Sequence, residues 1–221
     1  MTNVAVVTGA NRGIGLELVK YYLTRGWRVY AVCRQASAEL NASGADVIQS
    51  IDVSDAKSIA SLSRILSGVN IDLLINNAGI LRDETIDHMN FDTLSEQFAV
   101  NSLGPLRVTE ALLPQLNKGS KIALITSRMG SIADNTSGGY YGYRMSKAAL
   151  NAAGMSLAQD LKPRGIAVAI LHPGFVATDM VGRRGDISPQ VAAERLAQRI
   201  EELTLKTTGG FWHSNGEILP W

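Results

Sequence analysis

The chain has 221 residues, of which 46% are hydrophobic and 19% charged, a balance that suits one domain with helices on both faces of a sheet. Twenty-one Lys and Arg against twenty Asp and Glu give a net charge of +1, which excludes a global attraction to nucleic acid or to an anionic membrane. A lone Cys33 excludes an internal disulfide, and without a secretion signal or an apolar run of roughly 20 residues we expect a cytoplasmic protein with no membrane contact.

Short β-branched runs alternate with longer segments of helical period, which is typical of βα units and a parallel sheet. The predicted strands are 4–7, 28–32, 47–51, 73–75, 122–125 and 167–171, with a seventh near 210–213. The predicted helices are 14–24, 55–66, 91–116 with a break near Gly104-Pro105, 146–161 and 189–203. No linker divides the chain, so we predict a single domain, 1–221. Its fold class is α/β: a three-layer, doubly wound parallel sheet of about seven strands with helices on both faces (Rossmann fold).

A glycine-rich segment joins the first predicted strand to the first predicted helix. Glycines at this place allow a tight turn, close approach of the backbone to a pyrophosphate and close packing of helix on strand, and the helix amino terminus supplies free N–H groups. Methyltransferases that use S-adenosylmethionine and ordinary glycine-rich turns share such a pattern. The placement favours a dinucleotide cradle made by Gly9, Asn11, Arg12, Gly13, Ile14 and Gly15.

The end of the second strand bears on the choice of cofactor. An acidic residue there would bind the ribose 2′-hydroxyl of NAD, but the sequence has Cys33-Arg34, and Glu39 lies past the strand. Arg34 can form a charge-assisted fork with a 2′-phosphate, and Arg12 can reach the same group. We therefore predict NADP(H), the alternative being two solvated surface arginines.

Polar and small residues also follow the third and fourth strands. Open α/β sheets bind ligands at the carboxyl ends of their strands. Asp52, which closes the third predicted strand, can accept a hydrogen bond from an adenine amino group or can cap the next helix or form a turn. The candidate cofactor contacts here are Asp52, Val53, Asn77, Ala78 and Gly79.

Tyr143 and Lys147 are four residues apart at the start of a predicted helix, so their side chains share one face. A phenol with an ordinary pKa of about 10 exchanges protons poorly near neutrality, and a nearby ammonium lowers that pKa. Ser127, after the fifth strand, can hydrogen-bond the substrate oxygen that Tyr143 protonates. Singly, these are an ordinary surface pair and a turn residue. Together they indicate reduction of a carbonyl, or oxidation of the alcohol, with Tyr143 as general acid or base.

The motifs, in order along nearly the whole chain, resemble those of the short-chain dehydrogenase/reductase family. The matching pieces are the Thr8-to-Gly15 loop, Asp52-Val53, Asn76-Asn77-Ala78-Gly79, Asn101, Ser127, Tyr143-x-x-x-Lys147 and Pro173-Gly174-x-Val176-x-Thr178. The runs Asn101-Ser102-Leu103-Gly104-Pro105-Leu106 and Gly210-Phe211-Trp212-His213 are similar to the small carbonyl reductase-like branch that includes the C-factor and sniffer proteins.

The resemblance implies roles that spacing does not give. Lys147 would also hold the nicotinamide ribose, and Asn101 would position a water that joins Lys147 to solvent in a proton relay. The loop after the sixth strand would contact the cofactor through Pro173, Gly174, Val176 and Thr178. The resemblance also implies a homodimer or homotetramer paired through helices near 106–116 and 148–161, although their small residues equally permit close packing on the sheet.

The resemblance leaves an alternative to catalysis, a cofactor-binding signalling or regulatory protein of the C-factor type with little turnover. The intact Ser127, Tyr143 and Lys147 argue against it.

Sixteen positions separate Ser127 from Tyr143, a few more than is usual in the family, because of extra residues in 135–141. This loop can bulge without moving its ends, so Ser127 keeps its role and Ser131 is the second choice.

The partner predicted from the sequence is a small-molecule carbonyl or alcohol. Steroids, quinones, aldehydes and sugars all fit. The segment 179–188 is short, which predicts an open substrate site, and its Arg183 and Arg184 can meet an acidic substrate or remain in solvent. No metal site is predicted, because the three histidines, His88, His172 and His213, are far apart in sequence.

Overall fold

In the computed structural model, which describes residues 2–221, seven strands form one parallel sheet in the order β3-β2-β1-β4-β5-β6-β7. The strands are β1 Val4–Thr8, β2 Arg28–Val32, β3 Asp46–Ile48, β4 Ile71–Asn76, β5 Leu116–Ile125, β6 Ala167–His172 and β7 Phe211–His213. Strand β1 pairs with β2 on one side and with β4 on the other, so the order reverses there and opens a crevice at the carboxyl edge. The predicted doubly wound α/β fold is confirmed.

Among residues 2–221, seven α-helices lie between the strands. They are α1 Gly13–Leu23, α2 Ala38–Asn41, α3 Ala56–Ile65, α4 Phe91–Phe98, α5 Gly104–Leu112, α6 Tyr141–Leu161 and α7 Pro189–Glu202. A π-helical turn, Ala99–Leu103, joins α4 to α5. No helix among residues 2–221 is both long and apolar enough to cross a bilayer.

Each face of the sheet has its own core. On one face Val6, Leu74 and Leu124 pack with side chains of α3, α5 and α6. On the other face Ala5 and Val7 pack with side chains of α1 and α7. Because successive strand residues point to opposite faces and both faces are covered, the central strands are continuous apolar runs.

The predicted third strand was too long at its carboxyl end. Ser50 has a left-handed backbone (φ 65°), which interrupts the extended conformation, and β3 ends at Ile48. The chain still follows β2, since Ile51 N donates to Cys33 O at 3.1 Å. Asp52 and Val53 therefore follow the strand after a turn and do not close it.

The helix boundaries needed three corrections. The predicted helix 91–116 is two α-helices joined by the π-helical turn, and Leu116 already belongs to β5. The predicted break near Gly104-Pro105 is present, since the π-helical turn ends at Leu103 and α5 begins at Gly104. Pro105 lies in the first turn of α5, where no N–H is needed. Helix α6 begins at Tyr141, before the predicted start at residue 146, and α2 was not predicted.

Candidate active site

The glycine loop has no room for side chains. Gly9 has φ +65°, and a Cβ there would lie 2.8 Å from the Ala78 Cα atom, while a Cβ on Gly15 would overlap the Gly9 carbonyl oxygen. The loop after β4 therefore lies directly against the loop after β1. Such a backbone-lined cradle fits the pyrophosphate of a dinucleotide.

The start of α1 completes this cradle. Arg12 is the N-cap residue, with an extended backbone and no side-chain hydrogen bond to the helix, so the first N–H groups of α1 are available to an anion. Asn11 precedes Arg12 in the loop, and Ile14 packs against the α1 and α7 core. A Cβ on Gly13 would lie 3.3 Å from Thr178 Cγ2, which brings the loop after β6 to the same place.

Thr8 and Asn77 hold the two loops together. The Thr8 hydroxyl oxygen accepts hydrogen bonds from Asn77 N at 3.0 Å and Ala78 N at 3.1 Å. The Asn77 side-chain amide donates to Thr8 O at 3.0 Å and Gly9 O at 3.2 Å. Asn77 thus supports the loop, and the part played by Thr8 was missed, although its position at the end of the first strand was the available signal.

The two predicted phosphate ligands lie at the edge of this cradle. Ala10 N donates to Val32 O at 3.2 Å, which places the end of β2, followed by the exposed Arg34, beside the glycine loop. Arg12 Nη1 forms an exposed ion pair with Asp179 Oδ2 at 3.5 Å. The carboxylate of Glu39 forms an ion pair with Lys20 of α1.

Asp52 forms a turn. Its Oδ1 accepts hydrogen bonds from Ser54 N at 2.8 Å and from Ser54 Oγ at 2.6 Å. The N-cap of α3 is Asp55, which accepts from Ser58 N at 2.8 Å. Val53 packs against Gly104, where a Cβ would lie 2.9 Å from Val53 Cγ2.

The first turns of α6 bring Tyr143 and Lys147 to one buried face, where they are 8% and 4% exposed. Lys147 Nζ donates to Ile125 O, at the end of β5, at 2.9 Å. The same Nζ lies 5.7 Å from the centroid of the Tyr143 ring. The predicted juxtaposition of phenol and ammonium is present at the carboxyl edge of the sheet.

The pKa values of this pair correct the sequence expectation. Burial raises the pKa of Tyr143 to about 12, partly opposed by a hydrogen bond with the Ser127 side chain. Burial lowers the pKa of Lys147 to about 8. The direction of the Tyr143 shift is opposite to the lowering expected beside an ammonium, because desolvation is its largest cause.

Ser127 lies two residues after the end of β5 and is 6% exposed. Its Oγ accepts a hydrogen bond from Met129 N at 3.1 Å and begins a short 3₁₀ turn. The alternative, Ser131, donates its hydroxyl to the main-chain oxygen of Trp221 at 3.1 Å. The geometry favours Ser127 over Ser131 as the serine next to Tyr143.

Asn101 lies in the π-helical turn and is completely buried. Its Oδ1 accepts from Ile80 N at 2.8 Å, and its Nδ2 donates to Ile80 O at 2.9 Å and to Ser146 Oγ at 3.0 Å. A Cβ on Gly79 would lie 3.3 Å from Asn101 Oδ1 and 3.6 Å from Lys147 Nζ. Asn101 and Lys147 therefore meet at Gly79, beside the cradle.

The loop after β6 folds back on the short segment that follows it. Gly174 has a left-handed φ of +97°, and Val176 forms a β-bridge with Ile187. The bridge fixes the segment 173–178 against the segment that follows it. Arg183 binds Asp179, and Arg184 donates to Val181 O. These partners of Arg183 and Arg184 belong to the segment 179–188 and not to the glycine loop.

Two histidines that are far apart in sequence lie together in the fold. The rings of His172 and His213 pack edge to face with centroids 4.9 Å apart. Burial lowers the pKa of His172 to about 3, and its Nδ1 has no hydrogen-bond partner among residues 2–221. Within that range no group of three or more His, Cys, Asp or Glu side chains is arranged to hold a metal ion.

Comparison with known proteins places the chain among oxidoreductases. The family model described as short chain dehydrogenase matches residues 3–187. A 1-hydroxy-2-glutathionyl-2-methyl-3-butene dehydrogenase of Rhodococcus sp. (strain AD45) is 40% identical over 98% of this chain and 98% of its own. The C-signal of Myxococcus xanthus is 42% identical over 68% of this chain and 93% of its own.

Solved structures agree with this assignment. The NADPH-bound carbonyl reductase from chicken fatty liver has a TM-score of 0.89 and 32% identity, covering 100% of this chain and 99% of its own. The carbonyl reductase Sniffer of D. melanogaster has a TM-score of 0.90 and 31% identity, with both chains fully covered. The predicted resemblance to the C-factor and sniffer branch is confirmed.

Proposed function

Because the chain belongs to the short-chain dehydrogenase family, and is thus an oxidoreductase, we propose that it transfers a hydride between NADP(H) and a small-molecule carbonyl or alcohol. Tyr143 is the proton-transfer group in this proposal. The observation that supports it most is that Tyr143, Ser127 and Lys147 lie together at the carboxyl edge of the sheet. They lie beside the glycine loop, where Gly9 and Gly15 let the loops after β1 and β4 pack directly against each other. The seven-stranded sheet supports treating 1–221 as one cofactor-binding domain.

Different residues of the chain would bind different parts of the cofactor. The backbone of the glycine loop and the start of α1 would hold the pyrophosphate, and Asn77, Ala78 and Gly79 would line the cradle on its other side. The loop with Pro173, Gly174, Val176 and Thr178 would cover the nicotinamide end, and Asp52 and Val53 would lie toward the adenine. Bound NADPH would supply the hydride.

At the reacting carbon, Tyr143 would donate its phenolic proton to the substrate oxygen while Ser127 donates a hydrogen bond to the same oxygen. Lys147, buried behind the phenol, would hold the nicotinamide ribose and replace the proton that Tyr143 gives up. Asn101 orders the main chain at Ile80 and, through Gly79, borders the space next to Lys147 Nζ. A water in that space would extend the proton relay to solvent.

The raised pKa of Tyr143 predicts an asymmetric pH dependence. A phenol with a pKa of about 12 keeps its proton at pH 7, which suits the acid needed for carbonyl reduction. Alcohol oxidation needs the phenolate, which is gained only as pH rises. We expect kcat for oxidation to be still rising at pH 9, as measured by NADP⁺ reduction at saturating alcohol. A plateau reached at or below pH 7 would contradict the raised pKa.

Arg34 is the residue we propose for recognition of the 2′-phosphate, with Arg12 as a second cation. Charge-assisted hydrogen bonds are worth about 1.5–3 kcal/mol, so Arg34→Ala is expected to weaken NADPH binding about 10- to 150-fold and to leave NADH binding unchanged. Fluorescence titration of both nucleotides measures this. Arg25→Ala removes an exposed arginine that stacks on Tyr21, away from the cradle, and is the matched control. Equal NADPH and NADH affinities in the unmodified protein would overturn the proposal of NADP(H).

Two relatives bear on substrate and role. The name of the Rhodococcus relative describes a dehydrogenase of an alcohol attached to glutathione, and the two solved structures are carbonyl reductases. They support a small-molecule alcohol or carbonyl as the substrate. The likeness to C-signal keeps a cofactor-binding signalling role as the second candidate, in which NADPH would bind with little turnover.

Self-association as a homodimer or homotetramer is also part of the proposal. Helix α6 carries Met145 and Met155 on its exposed side, at 56% and 41% exposure, which supports pairing through this helix. Gly154, a small residue of the same helix, faces the sheet, where a Cβ would lie 2.8 Å from Ile170 and Leu124 side-chain atoms.

A further inference from the structure

The amino terminus of helix α6 depends on a residue from another part of the chain. Tyr140, the N-cap residue, is left-handed (φ 52°) and makes no side-chain hydrogen bond to the helix. The N–H groups of a first turn need acceptors from elsewhere. Glu84 Oε2 accepts from Gly142 N at 3.3 Å, and Glu84 O accepts from Tyr140 N at 2.8 Å. Glu84 therefore holds both the residue that precedes the helix and its first turn.

The carboxylate of Glu84 is itself buried, with 5% of the residue exposed. Its Oε1 accepts hydrogen bonds from the Thr93 hydroxyl and, at 2.7 Å, from Gln97 Nε2. Gln97, which is completely buried, accepts from Arg82 N at 2.9 Å through Oε1. The packing is close, since a Cβ on Gly142 would overlap Gln97 Nε2.

This network fastens the segment 80–84, which connects two parts of the candidate active site. The segment starts directly after Gly79 of the cradle, where Asn101 binds both main-chain groups of Ile80. It ends at Glu84, which binds Gly142, the residue before Tyr143. A carboxylate suits the position because Thr93, Gln97 and Gly142 all present donors to it, and an ionised carboxylate only accepts.

Building on the proposed function, we propose that Glu84 is a positioning residue, whose carboxylate fixes the first turn of α6 and thereby aims the Tyr143 hydroxyl at the substrate oxygen. Glu84 acts through Gly142 and does not touch the substrate. Because a misplacement of about 1 Å can reduce a rate roughly 100-fold, loss of this anchor should lower kcat more than it affects cofactor binding.

A charge swap between Glu84 and Gln97 tests this proposal. In E84Q the new amide faces the donor of either Gly142 or Gln97. If Gln97 turns its oxygen toward residue 84, its own NH₂ then faces Arg82 N, so one clash between donors always remains. In E84Q/Q97E, the amide at residue 84 can accept from Gly142 N and donate to the carboxylate at residue 97, which also accepts from Arg82 N. The double variant restores the bonds to Gly142 N and Arg82 N, and loses the 3.3 Å bond from Gln97 Nε2 to Thr93 O, which a carboxylate cannot make.

The measurements are kcat for carbonyl reduction per NADPH-binding site, the NADPH Kd and Tm. We expect E84Q to lower kcat by about 10- to 100-fold with the NADPH Kd changed less than about threefold, and the double variant to regain most of kcat. Ser120→Ala is the control, since it removes a buried hydrogen bond to Ile71 O at the opposite end of β5. It should lower Tm and leave kcat per site unchanged.

A lower Tm with unchanged kcat per site in E84Q, or a double variant as slow as E84Q, would overturn the positioning role. If E84Q does not fold, Thr93→Val removes one bond to Glu84 and is read the same way. A several-fold lower kcat supports the role, and an unchanged kcat overturns it. The proposed function is judged separately by Tyr143→Phe: if that variant loses activity while E84Q does not, the positioning role alone fails.

Discussion

Tyr143→Phe is expected to lose about 100- to 10,000-fold in kcat for NADPH-dependent carbonyl reduction, since this is what proton transfer by a positioned group contributes. The ring keeps its packing and only the hydroxyl is removed. NADPH affinity should therefore remain within about threefold of that of the unmodified protein, or ~0.7 kcal/mol. Absorbance at the nicotinamide band gives the rate, and fluorescence titration gives the affinity.

Tyr141→Phe is the matched control for this experiment, because Tyr141 lies in the same turn of α6 and has no lysine four residues later. The kcat of Tyr141→Phe for carbonyl reduction should equal that of the unmodified protein. Comparable activity in Tyr143→Phe would remove Tyr143 from the mechanism. An unmodified protein that binds NADPH but oxidises it with no carbonyl would favour the signalling role.

Lys147→Met is expected to lower kcat and to raise the free energy of unfolding. Removing the ammonium behind Tyr143 takes away the group proposed to return the proton, and we expect kcat to fall about 100-fold, as when one electrostatic group of an active site is removed. Lys121→Met is the control for activity. Lys121 is partly buried, and burial lowers its pKa too, but it binds Ile200 O and Glu201 O at the other end of β5.

The stability change in Lys147→Met follows from the pKa. An unfolded chain holds the lysine proton up to about pH 10.5, whereas Lys147 in the fold releases it at about pH 8. The unfolded state binds more protons between these values, so the cost of burying the charge is fully present below pH 8 and disappears as pH rises to 10.5. Allowing for the lost hydrogen bond to Ile125 O, the variant should be more stable by about 1–3 kcal/mol at pH 7.

Denaturant unfolding at pH 7 and pH 10 measures this difference. The advantage of Lys147→Met should shrink at pH 10, where the unmodified protein no longer buries an ammonium. A variant that is less stable at pH 7, with the same deficit at pH 10, would show that Lys147 is a stabilising residue and that its charge is not strained by burial.

The parts of the site that the sequence predicted are those encoded within a few residues. The glycine loop joins a strand to a helix, and Tyr143 and Lys147 are one helical turn apart, so local periodicity brings their groups together. The carboxyl ends of parallel strands meet at one edge, which is why Ser127 and Asn77 could be expected near the same place. These features need only the order of the elements.

The remaining parts depend on contacts between distant residues. Glu84 meets Gly142 across 58 positions, and nothing in the composition of either segment indicates the pair. The end of β3 was missed because Ser50 is left-handed although it is not glycine. The direction of the Tyr143 pKa shift was missed because it is set by burial, which depends on how α6 packs on the sheet and on the loop after β5.

The most direct test of the central claim follows the hydride itself. The protein is mixed with NADPH that carries deuterium at both C4 positions and with a carbonyl that it reduces, and the alcohol is examined by mass spectrometry and NMR. Transfer of a hydride from the cofactor predicts one deuterium on the carbinol carbon of each product molecule. An alcohol without deuterium at that carbon, or consumption of NADPH with no alcohol formed, would contradict the account.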